Sequence, residues 1–459
     1  MFTKPENPVS ESTSMNKADS AAPASCHGIM RVLRPAVTAA AAVLLVLIFT
    51  SETDMLITGR SCLTYPMGSS MVNYAAGFVR CGLYGEILML MNAVCQPFIA
   101  MLLISAISLI FIVYMLISRM ARLGIGLPFI LAVLFSPSLI LMQRDTNFLR
   151  SDCLVIALNL TASCILLHLL FRKRQSAMSH AGMLGIDAVI FSLLLLSALI
   201  HELSASLLPP VLLLFFLYCR RVRKIRHFVL AIVTLAAVYA VMMTHFKYSD
   251  VGIIADSWAG VYSDSSSLRL NPGLVNVVDQ SMAMMHVHMS LDQIRQQGFS
   301  LFSNMLIAVA LPFAFLMLSG ITVFRSASSR ARKIRIVLIA ACLGPLGLCL
   351  AGIDFGRWFS ICAINLAVHT LLIAHASGRR WFESFPQNFR RLTFWWCRAA
   401  VLAAALVLLS YRLHTFGFFV RTGGSAWQQT VQMAANVSHL PEDIKPLLSR
   451  EKIIQKSGC

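Results

Sequence analysis

Long apolar runs, separated by short polar or basic segments, set the pattern of this chain. Each run is close to the length that a helix needs to cross a hydrocarbon core about 30 Å thick, which is about 20 residues. The pattern predicts an all-α fold, a polytopic transmembrane helix bundle of about eleven helices. We expect these helices at Pro35–Thr50, Pro97–Ile117, Ile125–Met142, Cys153–Phe171, Leu184–Ile200, Ser204–Tyr218, Phe228–Phe246, Ser300–Phe324, Ile336–Gly352, Phe359–Ala376 and Ala399–Leu413.

The apolar run from Ala188 to Tyr218 is too long for one span and carries the ionisable pair His201-Glu202 in its middle. A single helix of that length would reach about 45 Å, well beyond the hydrocarbon core. It would also place the basic clusters at its two ends on opposite sides of the membrane, whereas Lys and Arg tend to stay on the cytoplasmic side. The run therefore predicts two short helices that meet at His201-Glu202, with Pro209 and Pro210 in the early turns of the second.

Lys and Arg are concentrated in alternate loops of this pattern, which sets the expected orientation. The amino terminus is predicted inside and the carboxyl terminus outside. Residues 1–30, which are polar and rich in Ser, Ala and Pro, are expected to form a disordered inner tail. Residues 31–413 form the bundle, with outer loops at 51–96 and 247–299, and residues 414–459 are an outer carboxyl-terminal segment.

Composition excludes a soluble protein, because 58% of the residues are hydrophobic and only 13% are charged. The formal net charge of +18 comes from the basic loops of one membrane side. This distribution indicates the orientation of a membrane protein rather than a nucleic-acid partner. The predicted location is a membrane, with lipid as the surrounding partner.

The first outer loop has its own apolar periodicity. Near-helical spacing with polar residues between predicts a helix that lies in the membrane interface, so we expect a docked structure rather than a tether. The apolar positions are Val72, Ala75, Ala76, Val79, Leu83 and Ile87.

Three short polar segments interrupt the apolar pattern on one predicted membrane face, in tight turns between helices. They are residues 143–152, His201-Glu202 and residues 353–358. With the first outer loop, they supply several carboxylates and several guanidinium groups to that face. Charged groups at membrane depth are costly and indicate a functional site, although helix-end pairs that only satisfy each other are the plainer alternative.

This mixture of charges suits the transfer of a sugar from a polyprenyl-phosphate-linked donor. Such a reaction needs a general base for the incoming hydroxyl and positive charge for the departing phosphate, which Arg binds in a bidentate manner. No cofactor and no metal site is predicted. The candidate catalytic residues are Glu202, His201, Asp54, Glu52 and Asp354, and the candidate phosphate-binding residues are Arg80, Arg144, Arg150 and Arg357.

Two further features concern metals and disulfides. The run from Met282 to Met289 contains His286 and His288, which would suit Cu(I) if the run were an extended strand, but the run also fits an amphipathic helix. The cysteines lack zinc-finger spacing, and the sequence does not decide whether Cys62 and Cys81 form a disulfide.

Four motifs stand out in the polar parts of the chain. They are Gly77-Phe78-Val79-Arg80-x-Gly82-Leu83-x-Gly85-Glu86, Arg150-x-Asp152, His201-Glu202 and Asp354-Phe355-Gly356-Arg357-Trp358. These motifs resemble those of a poorly characterised family of polytopic bacterial inner-membrane proteins that is linked to surface-polysaccharide synthesis, and the resemblance implies the bacterial inner membrane as the location. It covers about residues 50 to 376; Cys81 stands where a second Arg would be expected, and Phe355 where Trp is commoner.

The chain also resembles the C-type glycosyltransferases, with an acidic pair after the first helix and a membrane-lying first outer loop. In that fold the loop carries the catalytic carboxylate, which the resemblance assigns to Glu52 or Asp54. A more distant similarity to O-antigen polymerases rests on outer-face Arg residues and a His near a helix start. The resemblance implies a membrane glycosyltransferase, with a repeat-unit polymerase or a lipid-linked oligosaccharide transporter as alternatives.

Overall fold

The computed structural model describes most of the chain between residues 65 and 421. Its described ranges are 65–76, 81–95, 97–134, 150–171, 180–244, 250–259, 280–321, 329–350, 354–377, 387–408, 411–413 and 419–421, with isolated short pieces between them. Within these ranges the fold is helical, with thirteen α-helices and a single two-stranded sheet. The predicted all-α class is confirmed. The predicted inner tail and the predicted first span lie outside the described residues, and only residues 419–421 of the predicted carboxyl-terminal segment are described.

The helices follow the apolar runs of the sequence. They are α1 Tyr65–Ser70, α2 Gly82–Met91, α3 Pro97–Arg122, α4 Leu127–Leu134, α5 Asp152–Phe171, α6 His180–Ile200, α7 Ser204–Arg221, α8 Ile225–Thr244, α9 Asp250–Ser257, α10 Gln280–Leu318, α11 Ser329–Ala341, α12 Phe355–Ser377 and α13 Gln387–Leu408. Short 3₁₀ turns occupy Tyr74–Ala76 and Gly344–Leu350. The antiparallel strands are β1 Tyr411–Leu413 and β2 Phe419–Arg421.

Seven helices in the described part are long and apolar enough to cross a membrane, so the chain is a multi-pass membrane protein. The sequence predicted about eleven spans. Two of the others are present as shorter apolar helices, Leu184–Ile200 and Phe394–Ala404. Within the described residues, the predicted span Ile125–Met142 contains the helix Leu127–Leu134 and two further helical residues, Ser138 and Leu139. The predicted end of the last span is wrong, because Tyr411–Leu413 is a strand.

The predicted break in the apolar run is confirmed. Helix α6 ends at Ile200 and α7 begins at Ser204, so His201, Glu202 and Leu203 form the turn between them. The N–H of Ser204 donates to the carbonyl of His201 at 3.1 Å, which closes the turn. Pro209 and Pro210 lie inside α7 in its second turn, just beyond the first turn in which a missing N–H is least disruptive.

Helix α12 is the centre of the bundle, with 94% of its spanning residues buried. By contrast, only 17% of the spanning residues of α8 and of the α11 segment are buried. Many exposed side chains on α8 are large and apolar, including Val229, Leu230 and Val233. Such faces are those that lipid covers in a membrane protein.

The first loop is docked on the bundle, as predicted, but it is not one helix from Val72 to Ile87. The chain turns at Met71–Asn73, forms the 3₁₀ turn and begins α2 only at Gly82. Met71 and Val72 are fully buried. At Gly85 an added Cβ would lie 2.0 Å from the carbonyl oxygen of Val72, so only Gly permits this close approach.

The segment made of α9 and Trp258 packs over the first loop. The indole N–H of Trp258 donates to the carbonyl of Met71 at 2.8 Å, and the Asn73 amide donates to the Ser257 hydroxyl at 2.8 Å. Trp258 and Asn73 are both fully buried. The two segments therefore form one packed layer at this end of the bundle.

Helix α10 includes the last part of the loop predicted at 247–299, from Gln280 onward. It runs for 39 residues and bends at Gln297, whose φ is −124°. The run from Met282 to Met289 belongs to this helix, so the strand on which the Cu(I) hypothesis depended is wrong. Side chains two residues apart on a helix point to different sides, unlike those on a strand.

Candidate functional site

Four helix N-termini meet at one end of the bundle, which we call the network end. Asp152 is the first residue of α5, Asp354 precedes α12, the 201–203 turn precedes α7, and Cys81 is the N-cap of α2. The N–H groups at a helix N-terminus carry partial positive charge and favour anions. This end therefore combines polar backbone groups with a dense set of ionisable side chains.

A buried ion pair joins α12 to α5 at the network end. The Nε and Nη2 groups of Arg357 donate to the two carboxylate oxygens of Asp152, each at 2.6 Å. The side chains are 6% and 0% exposed. The Arg357 guanidinium also lies 4.6 Å from the ring centroid of Trp358, within cation–π range. This bidentate geometry requires the planar fork of Arg, which Lys lacks.

Asp354 extends the pair into a four-residue network. Its Oδ2 accepts from Arg150 Nη1 at 3.0 Å and from Arg357 Nη1 at 3.3 Å. Burial acts to raise the pKa of the Asp354 carboxyl, but Arg150 and Arg357 outweigh it and hold that pKa below its usual value. The Asp354 side chain is 25% exposed, against 10% for Arg150, so the network reaches the surface at Asp354.

A second cluster joins the 201–203 turn to the start of α2. The Cys81 thiol donates to Glu202 Oε2 at 3.0 Å, and His201 Nδ1 lies 3.3 Å from the same oxygen. His201 Nδ1 also accepts the N–H of Leu203 at 3.0 Å. Cys81 adopts the left-handed conformation, with φ 63°, which is uncommon for a residue other than Gly. The Cys81 side chain is buried and not part of a disulfide. Cys62, its candidate partner, lies outside the described residues.

The two clusters adjoin each other. His201 lies near enough to the Asp152 carboxylate to interact with it electrostatically. The Asp152 carboxylate interacts in the same way with the buried Tyr84 of α2. One continuous polar region thus runs from Asp354, through the arginines and Asp152, to His201 and Glu202.

The structure brings together five of the residues predicted for the site: Glu202, His201, Asp354, Arg150 and Arg357. The other four predicted residues lie outside the described part of the chain: Glu52, Asp54, Arg80 and Arg144.

Sequence reasoning missed Asp152 and Cys81 as members of the site. Asp152 stands two residues after Arg150, and that spacing was visible in the sequence. Cys81 is 121 residues from Glu202, and no spacing signal connects them.

Polar side chains also occur deep between the helices, at some distance from the network end. The Asn159 amide of α5 donates to the Ser197 hydroxyl of α6 at 2.6 Å. One turn further along α5, Ser163 lies 2.9 Å from Nε2 of His369 in α12. His369 is fully buried. Buried polar groups inside a membrane bundle form hydrogen bonds because lipid offers none.

At the opposite end, the described helices present mostly basic residues. Arg119, Arg122, Arg220 and Arg221 lie in the last turns of α3 and α7. One buried carboxylate there, Asp187, lies 2.7 Å from His227 and 3.8 Å from Lys224. We call this the basic end.

Comparison with known proteins found no counterpart: no protein-family model, no curated protein and no solved structure matches the chain.

Proposed function

We propose that the protein is an integral membrane glycosyltransferase that takes its sugar from a polyprenyl-phosphate-linked donor during surface-polysaccharide assembly. The observation that carries the proposal is the position of His201 and Glu202 beside the arginine–aspartate network at converging helix N-termini. A carboxylate that can accept a proton thus adjoins groups that can bind a phosphate. Acceptor activation and leaving-group stabilisation need those two components.

Glu202 makes the acceptor hydroxyl reactive, and His201 orients the carboxylate. The half-buried turn between α6 and α7 suits this role, because Glu202 is 27% exposed and His201 is 16% exposed. An acceptor can therefore reach the pair, while water is partly excluded. Low local dielectric strengthens the electrostatic interactions of such a site.

Arg150 binds the donor phosphate at the surface end of the network, next to Asp354. Arg357 acts as a positioning residue, because three of its N–H groups already bind Asp152 and Asp354. Arg80 and Arg144 remain further phosphate-binding candidates, and Glu52 and Asp54 remain further candidate carboxylates.

The basic end faces the cytoplasm and the network end faces outward, according to the tendency of Lys and Arg to stay inside. The amino terminus is then inside and the carboxyl terminus outside, in the inner membrane of a bacterium. The lipid-covered faces of α8 and α11 give a long-chain donor access from within the bilayer.

Polymerisation of lipid-linked repeat units is the close alternative, because it uses the same donor chemistry on the same face.

Transport of a lipid-linked oligosaccharide is favoured by a different observation, the buried polar contacts at Asn159 and His369. Transporters place polar and ionisable groups near the bilayer midplane. The two functions can be distinguished with a Glu202→Cys variant of a chain whose native cysteines have been replaced. The introduced thiol is labelled with a membrane-impermeant reagent added to one side of the membrane at a time. Labelling from the outside alone supports the transferase, whereas labelling from each side in turn supports transport.

The experiment that tests the proposal is deletion of the gene in a strain known to make a surface polysaccharide. We expect the polysaccharide to lose a residue or to shorten, and the lipid-linked donor to accumulate in membrane extracts measured by mass spectrometry. Expression of the wild-type chain should reverse both effects. A polysaccharide of unchanged length and composition, with no accumulated lipid-linked sugar, would refute the transferase and the polymerase together.

A further inference from the structure

Three different metal-ligand atoms converge at the network end. The Cys81 thiol, a ring nitrogen of His201 and a carboxylate oxygen of Glu202 all lie within 4.8 Å of one another. They come from the start of α2 and from the α6–α7 turn, which adjoin only in the folded chain. The sequence predicted no metal site, because metal-ligand spacing cannot reveal such a distant pairing.

The distances fit a tetrahedral ion. Metal–ligand bonds of about 2.0–2.3 Å place the ligand atoms of a zinc site about 3.3–3.7 Å apart. Cys81 Sγ lies 3.0 Å from Glu202 Oε2, and His201 Nδ1 lies 3.3 Å from the same oxygen. The third distance, between Cys81 Sγ and the ring nitrogen of His201, is at most 4.8 Å, so a shift of up to about 1 Å would complete the geometry. Glu202 and His201 are half-buried, so an ion can enter and be shielded.

The kinds of donor atom select among metals. Thiolate ligation disfavours Mg²⁺ and Ca²⁺, which prefer oxygen ligands, and a carboxylate disfavours Cu(I). A mixed sulfur, nitrogen and oxygen set suits Zn²⁺. The thiolate and carboxylate together neutralise the two positive charges of the ion.

We propose that Cys81, His201 and Glu202 bind one Zn²⁺. On binding, the Cys81 S–H bond breaks and its proton passes to solvent, while the sulfur keeps the electron pair and forms the bond to zinc. The ion replaces the present thiol-to-carboxylate hydrogen bond. It also takes the Nδ1 lone pair of His201 that now accepts the Leu203 N–H. No atom changes its oxidation state.

The site would also refine the mechanism, in a step that rests on the proposed function. Three protein ligands leave a fourth position for a hydroxyl or water, as in catalytic zinc sites. Zinc lowers the pKa of a bound hydroxyl group, so the acceptor would be activated on the metal and Glu202 would act by holding it. Metal binding itself does not depend on this step.

The test is zinc binding by the purified full-length protein in detergent. After dialysis into metal-free buffer and titration with Zn²⁺, we expect about one equivalent per chain by mass spectrometry of the metal. Cys81→Ser and His201→Gln should each bind at least about tenfold more weakly. Cys95→Ser is the matched control, because Cys95 is a half-buried free thiol away from the cluster, and it should bind as the wild type does.

Cobalt reports the ligands directly. Co²⁺ bound in the same site should give a thiolate-to-metal charge-transfer absorption that Cys81→Ser removes and Cys95→Ser keeps. A wild-type protein that binds no Zn²⁺, or a Cys81→Ser variant that binds it like the wild type, would overturn the site. Zinc binding with an unchanged polysaccharide in the deletion strain would refute the proposed function alone, and the reverse result would refute the site alone.

Discussion

Arg357 and Asp152 are joined inside the bundle by two parallel hydrogen bonds of 2.6 Å, although they are 205 residues apart in the chain. This pair fixes the start of the central helix α12 against the start of α5. The rest of the polar network is built outward from it, through Asp354 to Arg150. The geometry of the candidate site therefore depends on a contact that is itself almost inaccessible to substrate.

Removal of one partner of this pair should destabilise the protein strongly. Breaking a buried ion pair leaves an uncompensated charge and costs about 3–5 kcal/mol. We expect Arg357→Gln and Asp152→Asn each to lower the thermal unfolding temperature of the detergent-solubilised protein, measured by size-exclusion chromatography after heating. The double variant should lose clearly less than the sum of the single losses. Additive losses would show that the two side chains do not interact.

Arg357→Lys should behave as a partial loss of the same pair. Lys keeps the charge, but its ammonium cannot form two parallel bonds to Asp152 together with a bond to Asp354. We expect lower thermal stability than the wild type, higher stability than Arg357→Gln, and a strong loss of activity. A variant with wild-type stability and activity would show that the planar fork is not needed.

Docking of the first loop should depend on Gly85. In a Gly85→Ala variant the new Cβ would meet the carbonyl oxygen of Val72 at 2.0 Å, so α2 or the turn before it must move. We expect faster protease cleavage between α1 and α2 and a lower unfolding temperature. Gly185→Ala in α6 is the matched control, because no atom lies within 4 Å of its added Cβ. That control should be neutral or stabilised by up to about 1 kcal/mol. Equal behaviour of the two variants would contradict the docking.

Acidification should expose the contribution of Asp354. The pKa of its carboxyl is held below the ordinary value of 3.8, because Arg150 and Arg357 outweigh the effect of burial. A carboxyl whose pKa is lower in the folded than in the unfolded state stabilises the fold when the pH is above its unfolded-state pKa. This stabilisation is lost as the pH falls through the folded-state pKa. Asp354→Asn should therefore be less stable at neutral pH and should lose less on acidification below pH 3.8.

The control for this pH series is Asp292→Asn, which removes a carboxylate that is 62% exposed and pairs only weakly with Arg295 at 3.5 Å. Its unfolding temperature should follow the wild-type curve at every pH, because exposed pairs contribute little. An Asp354→Asn curve parallel to the wild type would remove the proposed role of Asp354 in acid stability.

Much of the fold could be predicted from the sequence, because membrane spans are set by local composition. The break at His201-Glu202 followed from the length of one apolar run and the sign of its flanking charges. The interrupted path of the first loop could not be predicted in this way. Its turn at Met71–Asn73 depends on burial under Trp258, a contact between segments that are far apart in the chain.

The sequence allowed several residues of the site to be predicted, but not the contacts between their side chains. Glu202, Arg150 and Arg357 stood out because charges are rare in apolar surroundings. Which carboxylate each arginine binds is decided by helix packing, so Arg357 was predicted to bind phosphate although it is occupied by Asp152 and Asp354. Cys81 carried no charge that would mark it as a partner of Glu202.

The most direct measurement is the polysaccharide output of the deletion strain when it expresses Glu202→Gln. This substitution keeps the size of the side chain and removes its charge. The account predicts a protein that inserts and accumulates like the wild type but loses most of its activity, with the lipid-linked donor accumulating, while Asp292→Asn restores full output. A Glu202→Gln variant with normal accumulation and full polysaccharide output would contradict the account and would leave the pair at the α6–α7 turn as a structural contact.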